Sequence, residues 1–402
     1  MIEFKINNGA LESCKTDDKV VVIPEDVNCI KRSAFINQVT IEELIMGDNV
    51  SVIEESTFEG CINLKRVKLS KKLETLGQYA FKNCNCLKKI NLNNIKYLNF
   101  TVFESCFGLK KVSFSSKLKY INTFDFYNCT YLEAIEVPSS NKEYVSIDGV
   151  LYNKDMTEII FYPLGKNSKS YVIPESIETL SRNFFFANEK IESITLNKRI
   201  TEIPSDAFSC CKSLKEVNNL ENISEIGICA FFGCESLEHF NIPKNVEVLH
   251  TNVFGKCINL KEVAFNECIR TIDNEAFCYC SSLESVVLPN SVTLIGGKVF
   301  SGCNKLQKLY IPKNVKYLGE SFIDGTSDNL FITYGGSKES WIELTKTKEV
   351  VVSHPSHNDY HYYGDWTDKL IPTVTEDIVI IKEDARLTVF CEEDGTTLKY
   401  GK

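Results

Sequence analysis

The 402-residue sequence contains no apolar stretch long enough to span a membrane. Its first residues, MIEFKINNGALESCKTDD, lack the basic segment and apolar run of an export signal, so the expectation from this end is that nothing directs export or anchoring. There is no Gly-rich phosphate loop, no nucleophile elbow, no C-x-x-C and no H-E-x-x-H. These gaps remove the commonest local signatures of nucleotide, acyl-transfer, redox and zinc-protease chemistry. A general excess of positive charge is also missing: the formal net charge is -9, which gives no overall reason to expect nucleic-acid or acidic-membrane binding. Seventeen cysteines are plentiful, yet an odd number spread along so long a chain is a poor match to a small disulfide framework.

What is present is a repeat. Phe58, Cys61, Leu64, Val67 and Leu69 return 23 residues later as Phe81, Cys84, Leu87, Ile90 and Leu92. With Phe58 as marker, equivalents fall at Phe35, Phe81, Phe103 and Phe126, then from Phe185 through Phe208, Phe231, Phe254, Phe277 and Phe300 to Phe322. The spacing is 22 or 23 except for one gap of 59 between Phe126 and Phe185. Alternation in segments such as RVKLS and SVVLP predicts one short strand per unit, and Pro243, Pro289 and Pro312 stop strands directly after it. The spacing then changes to three and five, which predicts a bend, a second extended piece and a short helical turn carrying A-F-x-x-C. One such coil cannot bury its own apolar residues, but stacked coils can, with each Phe resting on the next. The recurrent cysteines (Cys61, Cys84, Cys106, Cys129, Cys211, Cys234, Cys257, Cys280 and Cys303, with Asn188 substituting once) are expected to be reduced, buried and structural, each thiol donating to a carbonyl left by the turn. In Cys84-Asn85-Cys86 and Cys278-Tyr279-Cys280 the spacing predicts one thiol inside the coil and one outside.

The segments IPKNVEVLHTNVFGKCINLKEVAF (242–265) and LPNSVTLIGGKVFSGCNKLQKLYIP (288–312) closely resemble BspA-like leucine-rich repeats. The resemblance runs from about Ile23 to Phe331. It implies a leucine-rich-repeat solenoid: a curved, mainly parallel β-sheet of about a dozen coils, its strands lining the concave face. Family members are commonly surface or secreted proteins of gut and oral bacteria, or surface antigens of parasitic protists, and act by binding other molecules. The organisation expected is a solenoid over residues 1–335, with an enlarged repeat at about 139–172, and a capping segment with a small β tail over 336–402. The enlarged repeat reads as a hairpin around Asp148-Gly149 that keeps the stack in register, with a binding role as the alternative. Trp341 is expected to cover the last coil, and the 377–400 segment reads as a β meander turning at Glu393-Asp394-Gly395, a candidate remnant of another module.

Function is expected on the outward strand positions, which form the extended binding surface of a solenoid. These read Lys65, Arg66, Lys68; then Lys88, Lys89, Asn91; then Lys110, Lys111, Ser113. Between Cys61 and Tyr120 there are 13 Lys and Arg against 2 Asp and Glu, or +11, leaving -20 for the rest of the chain. Later coils offer a mixed face: Glu216, His239, Asn241, Glu262, Ala264, Val287 and Tyr310. The reading is a non-catalytic scaffold without cofactor, binding a protein or acidic glycan through the Lys65, Arg66, Lys68, Lys88, Lys89, Lys110 and Lys111 face. The bland alternative is that lysines merely keep exposed strands from pairing. Two rivals use other features: an enzyme or metal protein built on His354, His357 and His361 with Asp359 and Asp365, and a nucleic-acid binder using the basic face.

Overall fold

The computed structural model describes residues 2–346, 349–352, 372–375 and 387–400. His354, His357, His361, Asp359 and Asp365 lie outside the described residues. The chain forms two compact units, one of residues 1–168 with 176–190, the other of residues 169–175 with 191–402. Each is a β-solenoid.

In the first unit the regular coils contribute two short strands each to two ladders, except that of Lys111–Phe114, whose second piece makes a single bridge from Tyr120 to Tyr97. The longer strands pair in parallel, Val20–Val22 with Glu43–Ile45 and Arg66–Lys68, then Lys89–Leu92 with Lys111–Phe114 and Ala134–Glu136. The two-residue strands Cys29–Ile30, Val52–Ile53, Thr75–Leu76 and Tyr97–Leu98 form a second parallel ladder. It is opened by an antiparallel hairpin, Glu3–Asn7 with Ala10–Lys15. That hairpin turns on Asn8 and Gly9, at φ 50° and 77°. Asn-Gly between alternating strands is the signal for such a turn. The enlarged repeat is the expected hairpin, Tyr144–Ile147 with Val150–Asn153, extended by Glu158–Phe161.

The second unit repeats the pattern. Ser170–Val172, Ser193–Thr195 and Glu216–Asn218 pair in parallel, as do His239–Asn241 and Glu262–Ala264. Strands stop before Pro243, Pro289 and Pro312, as expected. Trp341, on the helix Lys338–Lys346, is fully buried with its ring 5.2 Å from that of Tyr334. The described part of the tail adds to the sheet. Leu387–Cys391 pairs in parallel with Leu330–Tyr334, and the Glu393-Asp394-Gly395 turn is tied back by Lys313 to Glu393 at 2.8 Å.

The core is a stack of rings. Phe35, Phe58, Phe81, Phe103 and Phe126 follow one another at centroid distances of 5.1 to 5.7 Å. Phe161, in the enlarged repeat, takes the next place at 5.6 Å. In the second unit Phe208, Phe231, Phe254, Phe277 and Phe300 stack at 5.3 to 5.7 Å. The cysteine column behaves as expected: Cys61 Sγ donates to the Phe35 carbonyl at 3.1 Å, Cys106 to Phe81 at 2.9 Å and Cys257 to Phe231 at 3.1 Å. Burial pushes the Cys61 and Cys106 thiols up to about 12.

Two expectations need correction. The A-F-x-x-C segment is a chain of tight turns, and the one short helix among these segments within the described residues is the 3-10 turn Thr123–Phe126. Alternate N–H groups there donate to the following coil, as from Ser33, Phe35 and Asn37 to Glu55, Thr57 and Glu59, so they cannot serve an i to i−4 ladder. Left-handed residues flank the Phe, for example Tyr79 at φ 57° and Asn83 at 61°, and they break helical continuity. The second correction concerns Cys278, expected outside the coil. It is buried, and its Sγ donates to Asn252 Oδ1 at 3.3 Å, so a polar pocket on the neighbouring coil receives the thiol.

Candidate binding surface

Parallel pairing in register with a 22- or 23-residue period places equivalent residues of successive coils side by side, about 4.8 Å apart. Arg66 therefore follows Glu43, while Lys89 is followed by Lys111 and Ala134. Lys65, Arg66, Lys68, Lys88, Lys89, Lys110 and Lys111 are all exposed. Between Arg66–Lys68 and Lys89–Leu92 the strand ladder breaks, and the inner Val67 and Leu69 are only half-buried there. Like charge alone does not account for the break, since Lys89 and Lys111 stand side by side in an intact ladder.

The seven cations are not equivalent. Acidic residues from the coils on either side neutralise the outer members of the run. Lys65 Nζ lies 2.7 Å from Glu42, and Arg66 is paired with Glu43. At the other end Lys110 meets Glu133 at 3.1 Å and Lys111 meets Glu136 at 2.6 Å. Glu42 also holds Lys19 at 2.8 Å, and hydrogen bonds from Lys19 and Lys65 bring its carboxyl down to about 2. Lys68, Lys88 and Lys89 make no ion pair or side-chain hydrogen bond among the described residues. The cations without a direct ion pair are thus the three in the middle of the run, of which Lys68 still feels the nearby Asp48 carboxylate. The pairing was legible in the sequence, since each acid stands 23 or 25 residues from its base.

Beside the last of these coils is an open cleft of about 900 Å³. Glu133, Ala134 and Glu136 form one wall, and the hairpin turn Asp148-Gly149 with the 165–168 segment forms the others. Two glycines allow these walls to close. A Cβ on Gly149 would come 2.8 Å from that of Ala134, and one on Gly165 would lie 2.3 Å from the Tyr131 carbonyl carbon. Ser146 Oγ donates to the Ile135 carbonyl at 2.6 Å, and Lys166 bridges to Asp148 Oδ2 at 2.8 Å. The Asp-Gly turn was visible in the sequence, but the cleft depends on contacts between the hairpin and a preceding coil, which no local pattern encodes.

The second unit presents a different face. Glu216, His239 and Glu262 are exposed, with His239 Nδ1 3.5 Å from Glu262. Asn241, Ala264 and Val287 are exposed beside them, and Tyr310 donates to Glu392 at 3.5 Å. Among the described residues no group of three or more metal-ligating side chains is assembled, and no helix is long and apolar enough to cross a membrane.

Comparison with known proteins accords with this architecture. No curated protein matches the chain. A solved leucine-rich repeat protein from Eubacterium ventriosum is similar, at 24% identity and a TM-score of 0.65, over 81% of this chain and 93% of that one. The pneumococcal vaccine antigen PcpA matches at 21% identity and a TM-score of 0.47, covering 84% of this chain and 86% of its own. A leucine rich cell surface protein from Faecalibacterium prausnitzii matches at 19% identity and 0.45, over 85% and 95% respectively. A six-copy model of the BspA type leucine rich repeat region matches residues 28–155, 154–260 and 204–330. With regular coils, inward phenylalanines and that match over most of its length, the chain belongs to the BspA-type leucine-rich-repeat family.

Proposed function

We propose that the protein is a non-catalytic recognition scaffold that binds an anionic partner, protein or glycan, on the outward strand face of its first unit, in adhesion or host interaction. The carrying observation is the position of Lys68, Lys88 and Lys89: exposed, without an ion partner, and bracketed by lysines and an arginine whose charges are already matched. A binding scaffold is the ordinary use of this fold, and the buried thiols offer no nucleophile. Such a local patch on a chain of net charge -9 would speed encounter and make affinity sensitive to salt. Residues 1–335 are taken as the recognition array and 336–402 as its cap and tail.

The test is retention of the full chain on immobilised polygalacturonate and on immobilised polyglutamate. Retention on at least one at low salt is expected, and Lys68→Glu, Lys88→Glu and Lys89→Glu together should abolish it while the melting transition stays in place. Elution of parent and triple variant at the same salt would reduce the lysines to a solubilising role. Reversing Arg66 or Lys111 is less informative, because it would set a new carboxylate against Glu43 or Glu136.

A further inference from the structure

Building on the anion-binding reading above, we propose that the partner is a polyuronate, a glycan with a carboxylate on each sugar, and that the cleft beside the Asp148-Gly149 turn is its sugar subsite.

The strands Lys89–Leu92, Lys111–Phe114 and Ala134–Glu136 lie in one ladder, so their outward residues form a grid: Lys89 and Asn91, Lys111 and Ser113, Ala134 and Glu136. Lys, Glu, Ser and Ala are the types depleted at protein interfaces, whose energy comes from buried aromatic and Arg anchors. The only aromatic residue lining the cleft is Phe114, and it is buried. Inside the cleft a protein partner would find no aromatic or Arg anchor, and a nucleic acid would find no exposed ring on which to stack a base.

Free ammonium groups at Lys88 and Lys89 give way, one coil later, to Lys110 and Lys111, and then to Glu133 and Glu136. Glu133, Glu136 and Asp148 in the cleft would repel the charges of a phosphate chain and of a polyuronate alike, so hydroxyl donors that can bond these carboxylates are what favour the sugar. A polyuronate offers both needed chemistries. Its carboxylates suit the lysines, and the hydroxyls between them can donate to Glu136 and Asp148 and exchange hydrogen bonds with Ser113 and Asn167. The Lys110–Glu133 and Lys111–Glu136 pairs are about half exposed, so little holds them against exchange with a ligand.

The cleft is built in advance. Gly149 and Gly165 permit contacts that any side chain would block, and Lys166 and Ser146 fasten two of the walls. A pre-formed, polar recess limits the ordering cost of binding a flexible sugar chain.

The experiment is calorimetric titration of the full chain with short and long oligogalacturonates, with polyglutamate and a single-stranded oligonucleotide as competitors. The long oligomer should bind tightest, and Lys88→Glu with Lys89→Glu should weaken it at least about tenfold. Ser113→Trp, which fills the cleft mouth, should reduce the long oligomer to the affinity of the short one while sensitivity to the lysine reversal persists. Ser113→Thr should keep the parent's preference, and melting curves of both variants confirm folding. Polyglutamate binding at the same lysines without oligogalacturonate binding would overturn the glycan and leave the anion-binding reading. Tighter binding of the oligonucleotide would overturn it in favour of nucleic acid. Unchanged length preference in Ser113→Trp would remove the subsite. Failure of every probe to distinguish the parent from the lysine variant would overturn the underlying reading as well.

Discussion

Coils of the first and second units share an interior and differ on the outside. Ile90 and Val112 face inward between Lys89 and Asn91 or Lys111 and Ser113, just as Phe240 does between His239 and Asn241. The inner positions answer to packing against the coil on either side, and so hardly vary. The outer positions answer only to solvent and to their column neighbours. In the first unit they gather basic residues over three coils, with acids in the coils before and after. In the second, Glu216, His239 and Glu262 follow one another without a run of one sign. One backbone therefore carries two surfaces, and the difference marks where selection for binding, as opposed to folding, can act.

Both interiors rest on their buried rings. Phe81→Ala and Phe231→Ala, one in each unit, should each cost about 3–5 kcal/mol as truncations of fully buried rings. Thermal or denaturant unfolding checks this, and an unshifted transition for either would mean that its ring does not support the stack.

Asp125 sharpens the comparison at the irregular coil before the enlarged repeat. Its carboxyl is fully buried, and desolvation raises it to about 7 from an ordinary 3.8, against a hydrogen bond from the Asn122 N–H at 2.9 Å. A raised value means that this group supports folding fully below 3.8 and progressively less as pH climbs through about 7. Asp125→Asn should accordingly stabilise the chain by roughly 1–3 kcal/mol at pH 8, and should give no gain at pH 3. Melting curves at the two pH values decide it, and a loss of stability at pH 8 would contradict the assignment.

A smaller effect is chemical. Cys61, Cys84, Cys106, Cys234, Cys257, Cys280 and Cys303 are buried, so in the folded protein they should resist alkylation, while exposed Cys268 reacts freely. Mass-spectrometric mapping under native conditions tests this, and rapid labelling of the column would show that it faces outward.

The smallest expected effect concerns Glu42 and Glu192, each bridging two lysines and each brought down to about 2 by hydrogen bonds from them. Because the folded value lies below the ordinary 4.5, their contribution is present above that pH and lost as pH falls towards 2. Carboxyl titration by NMR should show both among the last to protonate, and a midpoint near 4.5 for either would mean that its bridges do not persist in solution.

How much of this was legible in the sequence follows from where the determinants lie. The Phe and Cys columns and the strand stops at proline depend on a residue type at a fixed period, and so could be read directly; Trp341 stood out as a large apolar residue just past the last repeat. The turns could not. Their N–H partners belong to the next coil, and residues such as Tyr79, Lys256 and Glu275 take left-handed φ although nothing in their chemistry favours it. The burial of Cys278 depends likewise on Asn252, 26 residues away. On the face proposed for binding the basic run was visible, but its partial neutralisation emerges only when charges are followed from coil to coil. The cleft needed the hairpin's position against Leu132–Val137, which is a tertiary fact.

The central claim, that the middle of the basic run on the first unit is the binding surface, is tested most directly by lysine acetylation footprinting of the full chain, with and without a long oligogalacturonate. Lys68, Lys88 and Lys89 should be protected by the ligand, while Lys244 and Lys305 in the second unit keep their reactivity. Protection confined to the second unit, or the same pattern in both samples, would contradict the account.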